Sequence, residues 1–192
     1  MYYNVILVRL PNITPNGLKI RTEFRESIKF ELLMQNSNIE EKDKVTIALN
    51  LYFYDINIKN EEELKKSVND ILWFYRCGKE EMTSQGKEIK KETSKRIYSY
   101  EFDAEYIYSA FMEQYKIDLN KEHLHWWKFK ALFNSLNEEV LFSKIMSYRA
   151  IDLSKIKDKD MKKYYKKMKK IYALPDLRSE EEKENDFAEA FL

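Results

Sequence analysis

Residues 124–136 (LHWWKFKALFNSL) carry large apolar side chains around most of the circumference of a helix. Helical spacing sorts these apolar positions into two stripes: Leu124, Trp127 and Ala131 in one, and Trp126, Phe129 and Phe133 in the other. A helix that is apolar on most sides must be covered by other elements. We therefore predict that residues 120–136 form the central helix of the hydrophobic core.

Helical patterns continue on both sides of this segment, and only three glycines and three prolines interrupt the whole chain. Four amphipathic helices are predicted before it, of which the third ends at Gly78 and the fourth begins at Asp103, and two more are predicted after it. The predicted capping residues are Thr22, Asn38, Asn60, Asp103 and Asn137, and the last helix is predicted to begin at about Asp158. The fold class is therefore predicted to be all-α, with about seven helices.

A small β-hairpin is predicted at the amino-terminal end. Residues 5–8 and 18–20 are short aliphatic runs, and Pro11, Pro15 and Gly17 lie between them. The hairpin would precede the first helix.

The chain is predicted to divide into an amino-terminal unit (residues 1–77), a charged loop (78–97), a carboxy-terminal helical unit (98–176) and an acidic tail (177–192). The loop holds six basic and four acidic side chains with no sustained apolar period. It is long for a connection inside a compact domain, although both halves can still share a core.

Composition excludes several classes of protein. The sequence is 44% hydrophobic and 35% charged, yet its formal net charge is only +1, so no overall field attracts nucleic acid or acidic membranes. Arg9 and Pro11 interrupt the first apolar run, and no run approaches the roughly 20 apolar residues that span a bilayer. We expect a protein without membrane contacts that stays in the cytoplasm.

Residues capable of chemistry are few. His123 and His125 lie two residues apart, which does not give the i, i+4 spacing of a helical zinc site, and Cys77 is distant in sequence. Cys77 also lies on an apolar stripe, where a cysteine usually packs in the core. We expect no catalytic residue, no metal, no cofactor and no enzymatic activity.

Residues 155–170 contain nine lysines against two aspartates, and tyrosines lie among them. Nucleic-acid binding is one interpretation, with Lys162, Lys163, Lys166 and Lys167 as the contacting residues. The tyrosines and methionines fall on the opposite helical face, which favours a helix buried on one side and solvated on the other. A further interpretation is autoregulation or self-association, in which the acidic tail pairs with the lysines of its own or a neighbouring chain.

Five segments together resemble one family. They are residues 71–79 (ILWFYRCGK), 98–119 (YSYEFDAEYIYSAFMEQYKIDL), 124–136 (LHWWKFKALFNSL), 144–159 (KIMSYRAIDLSKIKDK) and 164–176 (YYKKMKKIYALPD). In this order they resemble the bacteriophage gene-product-fifteen family, found in the tail modules of long-tailed phages and prophages of Gram-positive bacteria.

The resemblance implies a tail assembly chaperone in the cytoplasm of the bacterial host. Such a protein would keep the helical tape measure protein soluble and help the tail-tube protein to polymerise around it. A minor structural component of the finished tail is the alternative, and nucleic-acid binding through the lysine helix is another.

The family carries no catalytic residues to transfer, so candidate partner-binding residues are chosen by type. Tryptophan, tyrosine and arginine are enriched where interfaces contribute most binding energy. The candidates are Trp73, Tyr75, Arg76, Trp126 and Trp127, although their helical spacing places most of them in the core.

Overall fold

The computed structural model of the chain describes residues 6–79 and 96–175. Within these ranges there are seven α-helices and no strand, which confirms the all-α prediction for the described residues. The helices are α1 (Phe24–Gln35), α2 (Glu41–Tyr52), α3 (Glu61–Tyr75), α4 (Ala104–Tyr115), α5 (Trp126–Asn134), α6 (Leu141–Ala150) and α7 (Lys159–Ile171), with a 3-10 turn at Leu153–Lys155.

The predicted amino-terminal hairpin was wrong. Residue 5 lies outside the described residues, and residues 6–20 form a tight loop in which a single bridge joins Ile13 to Lys19. Two backbone hydrogen bonds, from Thr14 N to Leu18 O (2.9 Å) and from Ile20 N to Asn12 O (3.0 Å), close this loop without forming a strand. The buried carboxylate of Asp70 joins the loop to α3 by accepting hydrogen bonds from Thr14 Oγ1 (2.6 Å) and Asn16 Nδ2 (2.9 Å). Gly17 turns the chain with a φ of 84°, a conformation that glycine adopts readily.

Helix α5 is central, as predicted, but shorter than residues 120–136. Its Trp126 and Phe129 are fully buried, and the Phe129 ring stacks between Phe24 (4.7 Å) and Phe111 (5.0 Å). The residues before α5 are extended because they pair with the residues before α1: Trp126 N donates to Thr22 O, and Phe24 N donates to Leu124 O. This pairing fixes α1 and α5 side by side.

The two predicted halves share one hydrophobic core. Helix α5 packs against α1, and its two indole N–H groups donate to carbonyls at the end of α3, from Trp126 to Tyr75 O (2.8 Å) and from Trp127 to Phe74 O (2.7 Å). Residues 80–95 of the predicted loop and residues 176–192, which include the acidic tail, lie outside the described residues. The boundaries of the predicted units therefore stay a prediction.

The ends of α3 follow the sequence signals closely. Glu63 N donates to Asn60 Oδ1 at 2.9 Å, so the predicted cap at Asn60 is confirmed. The Glu63 carboxylate accepts in return from Asn60 Nδ2 (3.4 Å) and from the backbone N–H of Lys59 (2.9 Å), one residue earlier than in a standard capping box. At the other end, Gly78 N donates to Trp73 O and Cys77 N to Phe74 O, the two bonds of a Schellman motif. Asp158 likewise caps α7, accepting from Met161 N at 2.7 Å.

Other predicted caps were wrong or displaced. Glu23 rather than Thr22 caps α1, because the Glu23 carboxylate accepts from Arg25 N and the Thr22 carbonyl is used by α5. Asn38 does not cap α2, which begins after Glu40 without a side-chain cap. Asn137 accepts from the backbone just after it, and α6 begins only at Leu141.

Asp103 stands at the predicted boundary of α4, but its carboxylate does not cap the helix. It accepts instead from Ser99 N (2.9 Å) and from both terminal nitrogens of Arg149 on α6 (2.6 and 2.8 Å). Arg149 also donates to Ile97 O and to Tyr172 O, just after α7. One buried ion pair therefore ties together α4, α6 and the end of α7.

The stability of the fold should fall as the pH is lowered from 7 to 5. His125 caps α5 by accepting from Trp127 N through Nδ1, and burial lowers the pKa of its imidazole below the ordinary value. Below the unfolded pKa of about 6.5, the unfolded chain then binds more protons than the folded chain. The stability is fully present above that pH and is lost as the pH falls through the folded pKa, by at most about 1.4 kcal/mol per pH unit from this group.

Urea unfolding at each pH measures this effect. Because asparagine can also cap a helix, His125→Asn should retain the fold. Its free energy of unfolding should depend less on pH than that of the wild type. His123→Asn, at an exposed position two residues earlier, is the matched control and should leave the dependence unchanged. Parallel curves for the wild type and His125→Asn would refute the assignment to His125.

Candidate protein-binding surface

Helix α7 is the most exposed helix of the described residues. None of its thirteen residues is buried, whereas each of the other six α-helices buries at least three. Its principal neighbours are α6 and the 3-10 turn, and Lys169 Nζ donates to Ile151 O at 2.6 Å. The helix is therefore anchored along one side and open along the rest.

Apolar side chains occupy one face of α7 and the residue after it. This α7 apolar face consists of Met161, Tyr164, Tyr165, Met168, Ile171 and Tyr172. Met161, Tyr164 and Ile171 are 52%, 49% and 56% exposed. Burying large apolar side chains is favourable by about 1.5–3 kcal/mol each, so leaving three half-open on one helix is costly unless another surface covers them.

A cluster of tyrosines holds the base of this face against α6. Tyr148 of α6 makes ring contacts with Tyr164 (6.3 Å), Tyr165 (6.2 Å) and Tyr172 (5.9 Å, stacked). The hydroxyls of Tyr148 and Tyr164 lie 3.3 Å apart, and their hydrogen bond helps to raise the pKa of Tyr148 to about 12. Tyr148 therefore stays protonated at neutral pH, and its ring contacts join α7 to α6.

The opposite side of α7 is basic. Lys162, Lys163, Lys166 and Lys167, which we call the α7 lysine face, are all exposed. No acidic side chain of residues 6–79 or 96–175 forms an ion pair with them. The four predicted lysines thus share one solvated surface, beside an apolar face that is only partly covered.

The aromatic candidates lie elsewhere, around the contact between α3 and α5. Trp126 and Trp127 are buried with their indole N–H groups bonded to backbone carbonyls, while Trp73 and Tyr75 are half-buried. Tyr75 donates to the Glu31 carboxylate at 2.5 Å, and its burial beside that acceptor raises the pKa of the phenol. Arg76 is exposed at the end of α3. The structure therefore separates these five residues from the lysines and uses both buried tryptophans as core.

Comparison with known families agrees with the resemblance seen in the sequence. The family model described as Bacteriophage Gp15 protein matches residues 7–174. The chain belongs to this family. No curated protein and no solved structure matches it. Membership in the Gp15 family suggests a structural or assembly protein of a bacteriophage.

Two shallow grooves on this Gp15 family member were not predicted. One, of about 190 Å³, lies between α4 and α6 and is lined by Glu105, Tyr106, Ser109, Ala110, Glu113, Leu141 and Phe142. The other, of about 450 Å³, lies between α2 and α3 and is lined by Val45, Leu64, Lys65, Val68 and Asn69. Each groove is formed by residues of two different helices. Hydrophobic periodicity describes one helix at a time, so it could not predict either groove.

Potentially reactive groups are sparse in the described part of the chain. Residues 6–79 and 96–175 contain no group of three or more His, Cys, Asp or Glu side chains placed to hold a metal ion. Burial raises the pKa of the Cys77 thiol to about 11, so it is a thiol rather than a nucleophilic thiolate at neutral pH. None of the described helices combines the length and apolar character needed to cross a bilayer.

Proposed function

We propose that this Gp15 family member is a non-catalytic tail assembly chaperone that binds the tape measure protein in the host cytoplasm. By keeping that client soluble, it would allow the tail-tube protein to assemble around it. The observation that supports the proposal is the partly uncovered apolar face of α7, on a phage protein whose remaining helices close over a common core.

The α7 apolar face suits a helical client. Thirteen residues give a helix about 20 Å long, which matches roughly four turns of a partner helix. An amphipathic partner binds such a surface through apolar anchors three or four residues apart. Met161, Tyr164, Met168 and Ile171 have that spacing. The α7 lysine face would attract acidic segments of the client and speed association at low salt.

Co-expression tests the proposal directly. The tagged protein and the tape measure protein from the same phage genome are expressed together, and the soluble fraction is purified by the tag. We expect the client to become soluble and to copurify in a fixed ratio. A client that remains insoluble, with nothing copurifying, would rule out the chaperone function.

Two polar substitutions on α7 should abolish that copurification while leaving the fold intact. In Met161→Gln/Ile171→Gln, both changed side chains are more than half exposed, so the free energy of unfolding should change by less than about 0.5 kcal/mol each. Affinity for the client should fall by at least about tenfold, because two apolar contacts are lost. Lys159→Gln/Lys170→Gln, at exposed positions of the same helix outside the α7 lysine face, is the matched control and should retain the client. If both double variants bind the client equally, the client binds a surface other than the α7 apolar face.

Nucleic-acid binding is the second candidate, and the solvated α7 lysine face is the observation that favours it. Its affinity would fall steeply with salt, and replacing Lys162, Lys163, Lys166 and Lys167 with glutamine would abolish it.

A role as a minor tail component makes a different prediction, namely that the protein is present in purified virions.

A further inference from the structure

We infer that the acidic tail, residues 177–192, docks on α7 of its own chain and covers the exposed edge of the α7 apolar face. The tail would then occupy in cis the surface assigned to the client. The docking of the tail does not depend on the proposed function. Only its consequence, competition between the tail and the client for α7, rests on that function.

The exposed edge of α7 combines apolar and basic side chains. Tyr164 and Ile171 are about half exposed, and Lys167 lies three residues after the first and four before the second. Residues at these spacings are neighbours on a helix surface. An occupant of this edge therefore meets apolar side chains and a lysine together, so it should carry both apolar and acidic groups.

The acidic tail has that composition. It carries six acidic side chains against two basic ones, and its last six residues include an apolar group made of Phe187, Phe191 and Leu192. Phe187 and Phe191 have i, i+4 spacing, which puts them on one side if the segment is helical. Acidic residues for the lysines and apolar residues for the tyrosines thus occur in one segment.

The length of the tail fits the length of the helix. The tail begins two residues after Pro175, and Pro175 lies four residues beyond Ile171, the end of α7. An extended chain spans about 3.3 Å per residue, so the twelve residues from 176 to Phe187 can cover roughly 40 Å. This exceeds the α7 length of about 20 Å, so Phe187 can reach the Met161 end while Glu180–Glu184 pass the lysines.

Covalent attachment favours this occupant over a second copy of the chain. A short tether gives an effective concentration on the order of mM, far above a μM concentration of free copies. Exposed ion pairs are individually weak, so such contacts suffice for a tethered segment that a tighter client must displace.

Hydrogen exchange in full-length chains tests the docking. The opened variant replaces Phe187, Phe191 and Leu192 with serine, and the matched control replaces Ala188 and Ala190 with serine without removing a large apolar group. Amide exchange of residues 159–171 should accelerate at least about threefold in the opened variant and remain at the wild-type rate in the control. Identical α7 exchange in all three proteins would overturn the inference.

Binding in trans separates occupancy from mere proximity. A fluorescent peptide of residues 177–192 should bind the opened variant at least about tenfold more tightly than wild type, whose surface is already covered. Equal binding to both, or binding to neither, contradicts cis occupancy. Light scattering that shows a wild-type dimer converted to a monomer in the opened variant would place the tail on a second copy instead.

The client assay distinguishes the two ideas. If both hold, the opened variant should retain at least about fivefold more tape measure protein than wild type at limiting client concentration. If peptide binding and exchange behave as expected while neither chain binds client, the tail docks but the chaperone function fails. If the client binds both chains equally and α7 exchange is unchanged, the chaperone function stands and tail docking fails.

Discussion

Replacing Trp126 with alanine should lower the free energy of unfolding by about 3–5 kcal/mol, the range for truncating a large buried aromatic residue. The Trp126 ring is fully buried and stacks on Tyr75 (5.5 Å) and Phe129 (5.8 Å). Its indole N–H also donates to Tyr75 O at 2.8 Å, so the variant leaves a cavity and a carbonyl whose remaining side-chain donor is the distant Cys77 thiol (3.9 Å). Urea unfolding followed by circular dichroism measures the loss.

Two further variants separate the contribution of the Trp126 ring from that of its N–H group and from the effect of a substitution elsewhere in α5. Trp126→Phe keeps an aromatic ring but removes the N–H, and it should lose less stability than the alanine variant. Lys128→Ala changes an exposed residue of the same helix and should stay within about 0.5 kcal/mol of wild type. If Trp126→Ala instead retains wild-type stability and loses only partner binding, the tryptophan is an interface residue and the burial described for it is incorrect.

Local periodicity predicted the helices well because each amphipathic segment encodes its own buried face. The central position of α5 followed from its two apolar stripes, and the cap of α3 followed from Asn60 and Glu63. The amino-terminal segment was different. Its loop is held against α3 by the Asp70 carboxylate, more than fifty residues away in sequence. The local aliphatic runs carry no signal for this contact and predicted a hairpin that does not form.

The candidate surface was predictable only in part. The helical spacing of apolar residues and lysines in α7 predicted an apolar face and a lysine face. Spacing alone does not show whether another element covers the apolar face. Residue type was a weak guide for Trp126 and Trp127, because the features that make tryptophan useful at interfaces, a large ring and one N–H donor, also suit a core position beside a backbone carbonyl. Tertiary packing decided between the two.

Replacing Arg149 with methionine should also destabilise the fold by about 3–5 kcal/mol, because it leaves a buried carboxylate without its partner. The Asp103 side chain is only 1% exposed, and the Arg149 side chain is 8% exposed. Arg149 Nε also donates to Tyr172 O at 2.6 Å, so the variant should loosen the anchor of α7 as well as the α4–α6 contact. Urea unfolding measures the first effect, and amide exchange of α7 measures the second.

The buried charge can be removed to test this cause. Arg149→Met/Asp103→Asn retains an oxygen for Ser99 N but carries no carboxylate, so it should be more stable than Arg149→Met alone by about 1–2 kcal/mol. Lys65→Met breaks the exposed Lys65–Glu61 pair on α3, where the side chains are 71% and 78% exposed, and should cost less than about 1 kcal/mol. If Lys65→Met and Arg149→Met lower the free energy of unfolding by similar amounts, burial does not make the Arg149–Asp103 pair more important for stability than an exposed pair. A large loss at Arg149 alone, together with faster exchange in α7, would show that the α7 surface depends on this pair for its position.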